Sequence, residues 1–157
     1  MIAQTLREFR GLPHRMVHVA DVDGVAYYDD SKATNVGATV AALDGLAKSG
    51  QRIVLIAGGK DKGGDYAPMR DRLRVCARAV VLIGEARPII ARALAGAPYP
   101  VEDAESLEAA VARARALAQP ADAVLLAPAC ASFDMFRSYA HRGDVFQAEV
   151  LKLRGGA

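Results

Sequence analysis

From Arg52 to Ala57 the chain runs through Ile53-Val54-Leu55-Ile56-Ala57 without a polar break, and no other feature constrains its fold as strongly. A strand with one wet face alternates apolar and polar residues, and a core helix needs about ten or more residues. An unbroken run this short therefore belongs to a strand covered on both faces, as in a parallel sheet. Ala79 to Ile83 and Ala123 to Leu126 repeat the pattern. Between and beyond these runs, apolar residues recur at helical spacing: Val36 to Leu46, with Asn35 or Thr34 as cap and Gly45 near the far end, then Tyr66 to Arg74 and Pro88 to Leu94. In Leu107 to Leu117 the residues Leu107, Ala110, Val111, Ala114 and Leu117 form one stripe. A short extended segment is expected near Tyr99 to Val101, and a closing helix from about Asp144 to Leu153.

Strands that alternate with helices make βαβ units with right-handed crossovers. Ahead of them, Met16 to Val22 and Val25 to Tyr28 flank Asp23-Gly24, a strong hairpin signal. The expected fold is α/β: a mostly parallel open sheet flanked by helices, with an N-terminal antiparallel hairpin. Thr5 to Phe9 read as the end of a short helix closed by Gly11 and Pro13, which suggests that more chain once preceded it.

At 157 residues the chain has the size of one domain and needs neither a disulfide nor a metal to hold a core. It is 52% hydrophobic and 24% charged, which is a globular composition. Twenty basic residues against 18 acidic ones give a net charge of +2, with no concentrated basic face to suggest a nucleic-acid partner. The loose group from Arg70 to Arg78 reads as a solvated helix face. Cys76 and Cys130 are isolated, which points to a reducing compartment and away from a metal cluster. The sequence contains neither a membrane-length apolar run nor a signal-peptide core, so a cytoplasmic location and no membrane partner are expected. His14, His18 and His141 lack metal-binding spacing such as HExxH, and no metal site is expected in this chain.

Open α/β sheets bind ligands beyond the carboxyl ends of their strands, and three polar segments follow strands here. Asp29-Asp30-Ser31-Lys32-Ala33-Thr34-Asn35 gathers two carboxylates, an ammonium, two hydroxyls and an amide at a helix entry, where free N–H groups favour an anion. A helix cap alone would need only one of them. Gly58-Gly59-Lys60-Asp61-Lys62-Gly63-Gly64-Asp65 could expose backbone N–H groups in a nest beside two lysines, or could be a flexible turn. It matches neither GxxxxGK[ST] nor GxGxxG. Pro128-Ala129-Cys130-Ala131-Ser132-Phe133-Asp134 places Ser132 where it could cap a helix or offer its hydroxyl or N–H to a ligand, and no GxSxG frame supports a nucleophile.

In order, Gly11-Leu12-Pro13-His14-Arg15, Asp30-Ser31-Lys32-Ala33-Thr34-Asn35, Gly58-Gly59 with Lys62, and Ala127-Pro128-Ala129-Cys130-Ala131-Ser132 with Arg142-Gly143 resemble the C-terminal domain of the Mur ligases. The resemblance covers about residues 9 to 152 and points most closely to the D-glutamate-adding members. The DNPR-type segment of the meso-diaminopimelate ligases does not occur. The Asp30 to Asn35 motif has close counterparts in sister ligases and folylpolyglutamate synthases, and a free-standing small-molecule binding module is the alternative of another class.

The resemblance implies a Rossmann-like domain of an ATP-dependent, amide-forming ligase in cytoplasmic peptidoglycan synthesis. There ATP phosphorylates the carboxylate of UDP-N-acetylmuramoyl-L-alanine, and the amine of D-glutamate attacks the acyl phosphate. It implies that Thr34, Lys62, Ser132 and the Phe133 backbone hold D-glutamate, with Lys32 beside them and Tyr139, often phenylalanine in relatives, walling the pocket. Arg15, Asp30 and, more weakly, His14 fall on the ATP side. Magnesium ligands, the P-loop and the UDP-substrate site belong to central and N-terminal domains that the sequence lacks. The expectation is a single C-terminal domain with an introduced Met1, no complete catalytic set and no turnover of its own.

Overall fold

The computed structural model describes residues 14–155; the expected helix end at Thr5 to Phe9, with Gly11 and Pro13, lies outside the described residues. The elements are β1 (Val17–Val22), β2 (Val25–Asp29), α1 (Val36–Ala47), β3 (Ile53–Gly58), α2 (Ala67–Cys76) and β4 (Ala77–Ile83). They continue with α3 (Arg87–Ala93), β5 (Val101–Asp103), α4 (Leu107–Leu117), β6 (Ala123–Leu126) and α5 (Tyr139–Gly155). The sheet order is β1-β2-β6-β3-β4-β5. Only β1 and β2 pair antiparallel; the other neighbours are parallel. The architecture is the expected one, a Rossmann-like α/β sheet opened by an antiparallel hairpin.

The apolar runs explain the layers. Along β3, Ile53, Leu55 and Ala57 face a core with Leu43 and Leu46 of α1, Met69 and Leu73 of α2 and Ile90 of α3. Val54 and Ile56 point to the opposite face, against Leu107, Val111 and Ala114 of α4 and Phe146 and Val150 of α5. Every residue of β3 and of β6 is buried, as doubly covered strands require. Helix starts follow local chemistry: Asn35 Oδ1 accepts the Ala38 N–H at 2.8 Å and Ser106 Oγ accepts the Ala109 N–H at 3.0 Å. Proline sits in the first turn of both α2 and α3.

Two boundaries differ from the sequence reading. The extended segment near Tyr99 becomes β5 only from Val101, where it pairs with β4. The last helix begins at Tyr139 rather than near Asp144. Gly143 weakens helix propensity at that point. A local cap and a tertiary anchor overrule it: Ser138 Oγ accepts the His141 N–H at 3.0 Å, and Arg142 anchors the first turn against two loops. Among the described residues no helix is long and apolar enough to cross a membrane.

Candidate functional site

Because β6 lies between β2 and β3 and runs parallel to both, the three polar segments emerge side by side at one end of the sheet. Backbone bonds tie them together: Asp30 N to Leu126 O at 2.8 Å, Ala129 N to Ala33 O at 2.9 Å, Gly58 N to Pro128 O at 2.9 Å and Lys60 N to Ala131 O at 2.9 Å. The loop after β4 joins them, with the Glu85 N–H donating to Asp134 Oδ2 at 3.0 Å.

The segment after β2 is built around Asp29, which is fully buried. Its Oδ1 accepts the Ser31 N–H at 2.9 Å, and its Oδ2 takes His14 Nδ1 at 2.6 Å and Gln147 Nε2 at 2.8 Å. The other His14 nitrogen lies 3.2 Å from Asp144 Oδ1. Ser31 Oγ donates to the Tyr139 carbonyl at 2.6 Å and accepts from Arg142 Nε at 2.9 Å. Arg142, fully buried, also donates to the carbonyls of Ser31 at 2.8 Å and Cys130 at 3.1 Å. All of these acceptors are neutral, and burial lowers the guanidinium pKa to about 10, which still leaves a cation at neutral pH. Gly143 makes room for the histidine: a Cβ there would fall 2.1 Å from His14 Nδ1 and 2.8 Å from Asp29 Oδ2.

Beside this hub, Arg15, Asp30 and Lys32 share a cleft of about 330 Å³ with Met16, Ala38, Ala41 and Ala42. Asp30 is buried and accepts the Met16 N–H at 3.2 Å. Burial, reinforced by neighbouring Asp29, raises its pKa to about 6, against the opposing Met16 hydrogen bond and Arg15 charge. Lys32 Nζ lies 4.7 Å from the centroid of the Tyr139 ring and 3.3 Å from its hydroxyl, which seats both residues at one wall.

On the other side the site is open. Lys60 and Lys62 are exposed. The glycines before them are neither a free anion nest nor a flexible turn, the two alternatives that the sequence left open for this segment. The N–H groups of Gly58, Gly59 and Lys60 go to the carbonyls of Pro128, Ile83 and Ala131. Glycine is needed there for close approach instead, since a Cβ on Gly59 would meet Ala131 O at 2.4 Å. Tyr66 donates to Asp61 Oδ1 at 2.7 Å and lies 3.3 Å from Cys130 Sγ, and burial pushes both the Tyr66 and Cys130 pKa values up. Cys130 is therefore a buried, un-ionised thiol.

Ser132 is buried, and its carbonyl, accepting from Met135 N at 3.1 Å and Phe136 N at 2.8 Å, heads a turn. It does not cap α5; Ser138 does. Phe133 stands 71% exposed beside it. Among the described residues the side chains of Thr34, Lys62 and Ser132 have no hydrogen-bond partner, and none bonds to another. Hydrogen bonds, ring contacts and a shared cleft thus link His14, Arg15, Asp30, Lys32 and Tyr139, whereas among the described residues no side-chain bond joins Thr34, Lys62 and Ser132 to one another. Sequence reasoning found the segments but counted Asp29 only as one of two carboxylates at a helix entry, assigned no part to Tyr66 or Gln147, and treated Arg142 only as a motif letter.

Among the described residues no group of three or more His, Cys, Asp or Glu side chains gathers to hold a metal ion. His18 pairs with Asp21 at 2.9 Å and His141 Nδ1 accepts the Arg137 N–H at 3.1 Å.

A mostly parallel sheet with polar loops at the carboxyl ends of three adjacent strands defines a Rossmann-like α/β domain. Residues 14–130 match the family model described as "Mur ligase, glutamate ligase domain", and the chain belongs to that family. It is 61% identical over 145 residues to the UDP-N-acetylmuramoylalanine--D-glutamate ligases of Burkholderia mallei (strain SAVP1) and Burkholderia pseudomallei (strain K96243). The match takes in 92% of this chain but only 28% of each of those relatives. Among solved structures it resembles a murein peptide ligase from Psychrobacter arcticus 273-4, with TM-score 0.68, 16% identity and coverage of 92% of this chain and 30% of that one. It also resembles the UDP-N-acetylmuramate-alanine ligase of Thermotoga maritima, with TM-score 0.67, 16% identity and coverage of 98% and 33%. At those identities the structures show a shared fold.

Proposed function

We propose that this chain is the amino-acid-binding C-terminal domain of an ATP-dependent, cytoplasmic ligase that joins D-glutamate to UDP-N-acetylmuramoyl-L-alanine through an acyl phosphate in peptidoglycan synthesis. The observation that carries the reading is the convergence of three polar segments at the ends of β2, β6 and β3 in a member of this family. In the proposal the domain spans about residues 9 to 152, and Thr34, Lys62, Ser132 and the Phe133 backbone hold the D-glutamate carboxylates. Lys62 is an exposed cation, the hydroxyls of Thr34 and Ser132 bond to none of the described residues, and a dicarboxylate needs such a set of directed donors. Lys32 and Tyr139, already in contact, wall the pocket.

Arg15 and Asp30 face ATP from the cleft they share. An exposed guanidinium fits a phosphate, and a buried carboxylate with a free edge fits a ribose hydroxyl. His14 supports them from beneath by holding Asp29. When bound, ATP with Mg²⁺ supplies the phosphoryl group that activates the nucleotide's carboxylate. The magnesium ligands, P-loop and UDP-substrate contacts are assigned to central and N-terminal domains outside this chain, so the chain by itself binds and orients but does not turn over. A half-site without its partner domains binds weakly, at about millimolar affinity.

Two-dimensional amide NMR of the chain, titrated separately with D-glutamate, L-glutamate and ATP to high millimolar concentration, tests this. D-glutamate should move Thr34, Lys62, Ser132 and Phe133, the L isomer should do little, and ATP should move Arg15 and Asp30. A well-dispersed spectrum in which D-glutamate moves none of the four would remove the proposed site.

A further inference from the structure

We infer that Arg142 is a positioning residue for the ligand: its guanidinium sets the distance between the segment after β2 and the segment after β6, and so the width of the amino-acid side of the site. The inference rests on the D-glutamate reading above.

One side chain spans both segments. Nε and Nη2 donate to the hydroxyl and carbonyl of Ser31, which stands between Asp30 and Lys32 and just ahead of Thr34. Nη1 donates to the carbonyl of Cys130, two positions before Ser132. The helix that carries Arg142 is seated by the same contact, because Ser31 Oγ also donates to the carbonyl of Tyr139, whose ring meets Lys32. Lys32, Thr34, Ser132 and Tyr139 therefore belong to three pieces of backbone whose mutual spacing is held at one buried fork.

Packing alone does not account for an arginine here. A fully buried cation whose hydrogen bonds all go to neutral oxygens is a costly way to fill space, and an apolar side chain of similar volume would serve a core better. A planar fork that reaches three oxygens from one helical position is what lysine and methionine lack. The buried charge also adds positive potential at the end of the sheet where a dicarboxylate is placed.

Arg142→Lys keeps the charge and loses the fork. Amide NMR spectra and hydrogen-exchange rates of the wild-type and variant chains would be compared, and each chain titrated with D-glutamate and with ATP. The expected variant is folded, with shift changes and faster exchange concentrated at 31–35 and 130–134 and with β4 and β5 unchanged. Its D-glutamate affinity falls about tenfold or more. ATP affinity falls less, because Arg15 and Asp30 depend on only the first of the two segments. Unchanged loops, or equal weakening of both ligands, would overturn the positioning role. A wild-type chain that shows no D-glutamate shifts overturns the ligand reading itself, a failure visible before any variant is compared. Should Arg142→Lys not fold, Ser31→Ala removes one acceptor and leaves the guanidinium in place; it should weaken D-glutamate in the same direction, and unchanged affinity in that variant sinks the inference.

Discussion

The segments that follow β2 and β3 lie one strand apart, on either side of β6, and are built in opposite ways. Around Asp29 and Ser31 the polar groups are buried and paired, with His14, Gln147, Arg142 and Tyr139 closing over them. After β3 the backbone is pinned through Gly58, Gly59 and Lys60, yet the side chains of Lys60 and Lys62 stand in solvent. Buried polar groups left unpaired are expensive, and the hub of Asp29 and Ser31 is paired within the fold. The second segment keeps its charges hydrated, at little cost. On the proposed reading one side is a preformed frame and the other a set of waiting contacts, which is how a rigid scaffold can present adaptable binding groups.

The largest test of the contrast is Asp29→Ala. It strips the acceptor from His14, Ser31 N and Gln147 at once, and urea unfolding should show a loss of about 4 kcal/mol. A loss under about 1 kcal/mol would mean that the frame is not the closed element described here. Gly143→Ala comes next. In an ordinary helix interior the change would gain roughly 1 kcal/mol. Here the new Cβ lands 2.1 Å from His14 Nδ1, and a loss of about 2 kcal/mol is expected, read as a lower Tm.

Asp30→Asn probes the boundary between the two sides. The Asp30 pKa rises from 3.8 to about 6 on folding, so the native state holds this proton more tightly than the unfolded chain. Its contribution therefore falls as pH rises between those two values, and the penalty is fully present above them. The asparagine variant should be about 1–2 kcal/mol more stable at neutral pH, with a flatter stability profile across that window and weaker ATP binding, the pattern of a group kept for function at a cost in stability. Lys62→Ala should have the smallest effect on folding, within about 0.5 kcal/mol, while abolishing the D-glutamate shifts. A large loss of stability in that variant would erase the distinction between frame and waiting contacts.

Much of the fold was legible because single-segment chemistry decides it. The apolar run from Ile53 to Ala57 can only be a doubly covered strand, Asn35, one of two cap candidates, caps α1 through its own side-chain oxygen, and Asp23-Gly24 turns the hairpin. The start of α5 lies earlier than expected, since Gly143 by itself is a poor helix former and becomes a clearance for His14 only when the helix lies against β2. Arg142 was missed for the same reason. Nothing local distinguishes a buried arginine from the exposed ones at Arg72 or Arg137.

The sequence by itself determined the alternation of elements, the cap of α1, and the three polar segments at strand ends, since each depends on residues within a few positions of one another. Only the tertiary structure decided that the last strand enters between β2 and β3, which makes those segments neighbours, and that Arg142 and Asp29 become their buried framework. Strand order and burial come from packing between distant parts of the chain, where the saving is in apolar area and paired polar groups summed over the whole sheet, and no local pattern carries that sum.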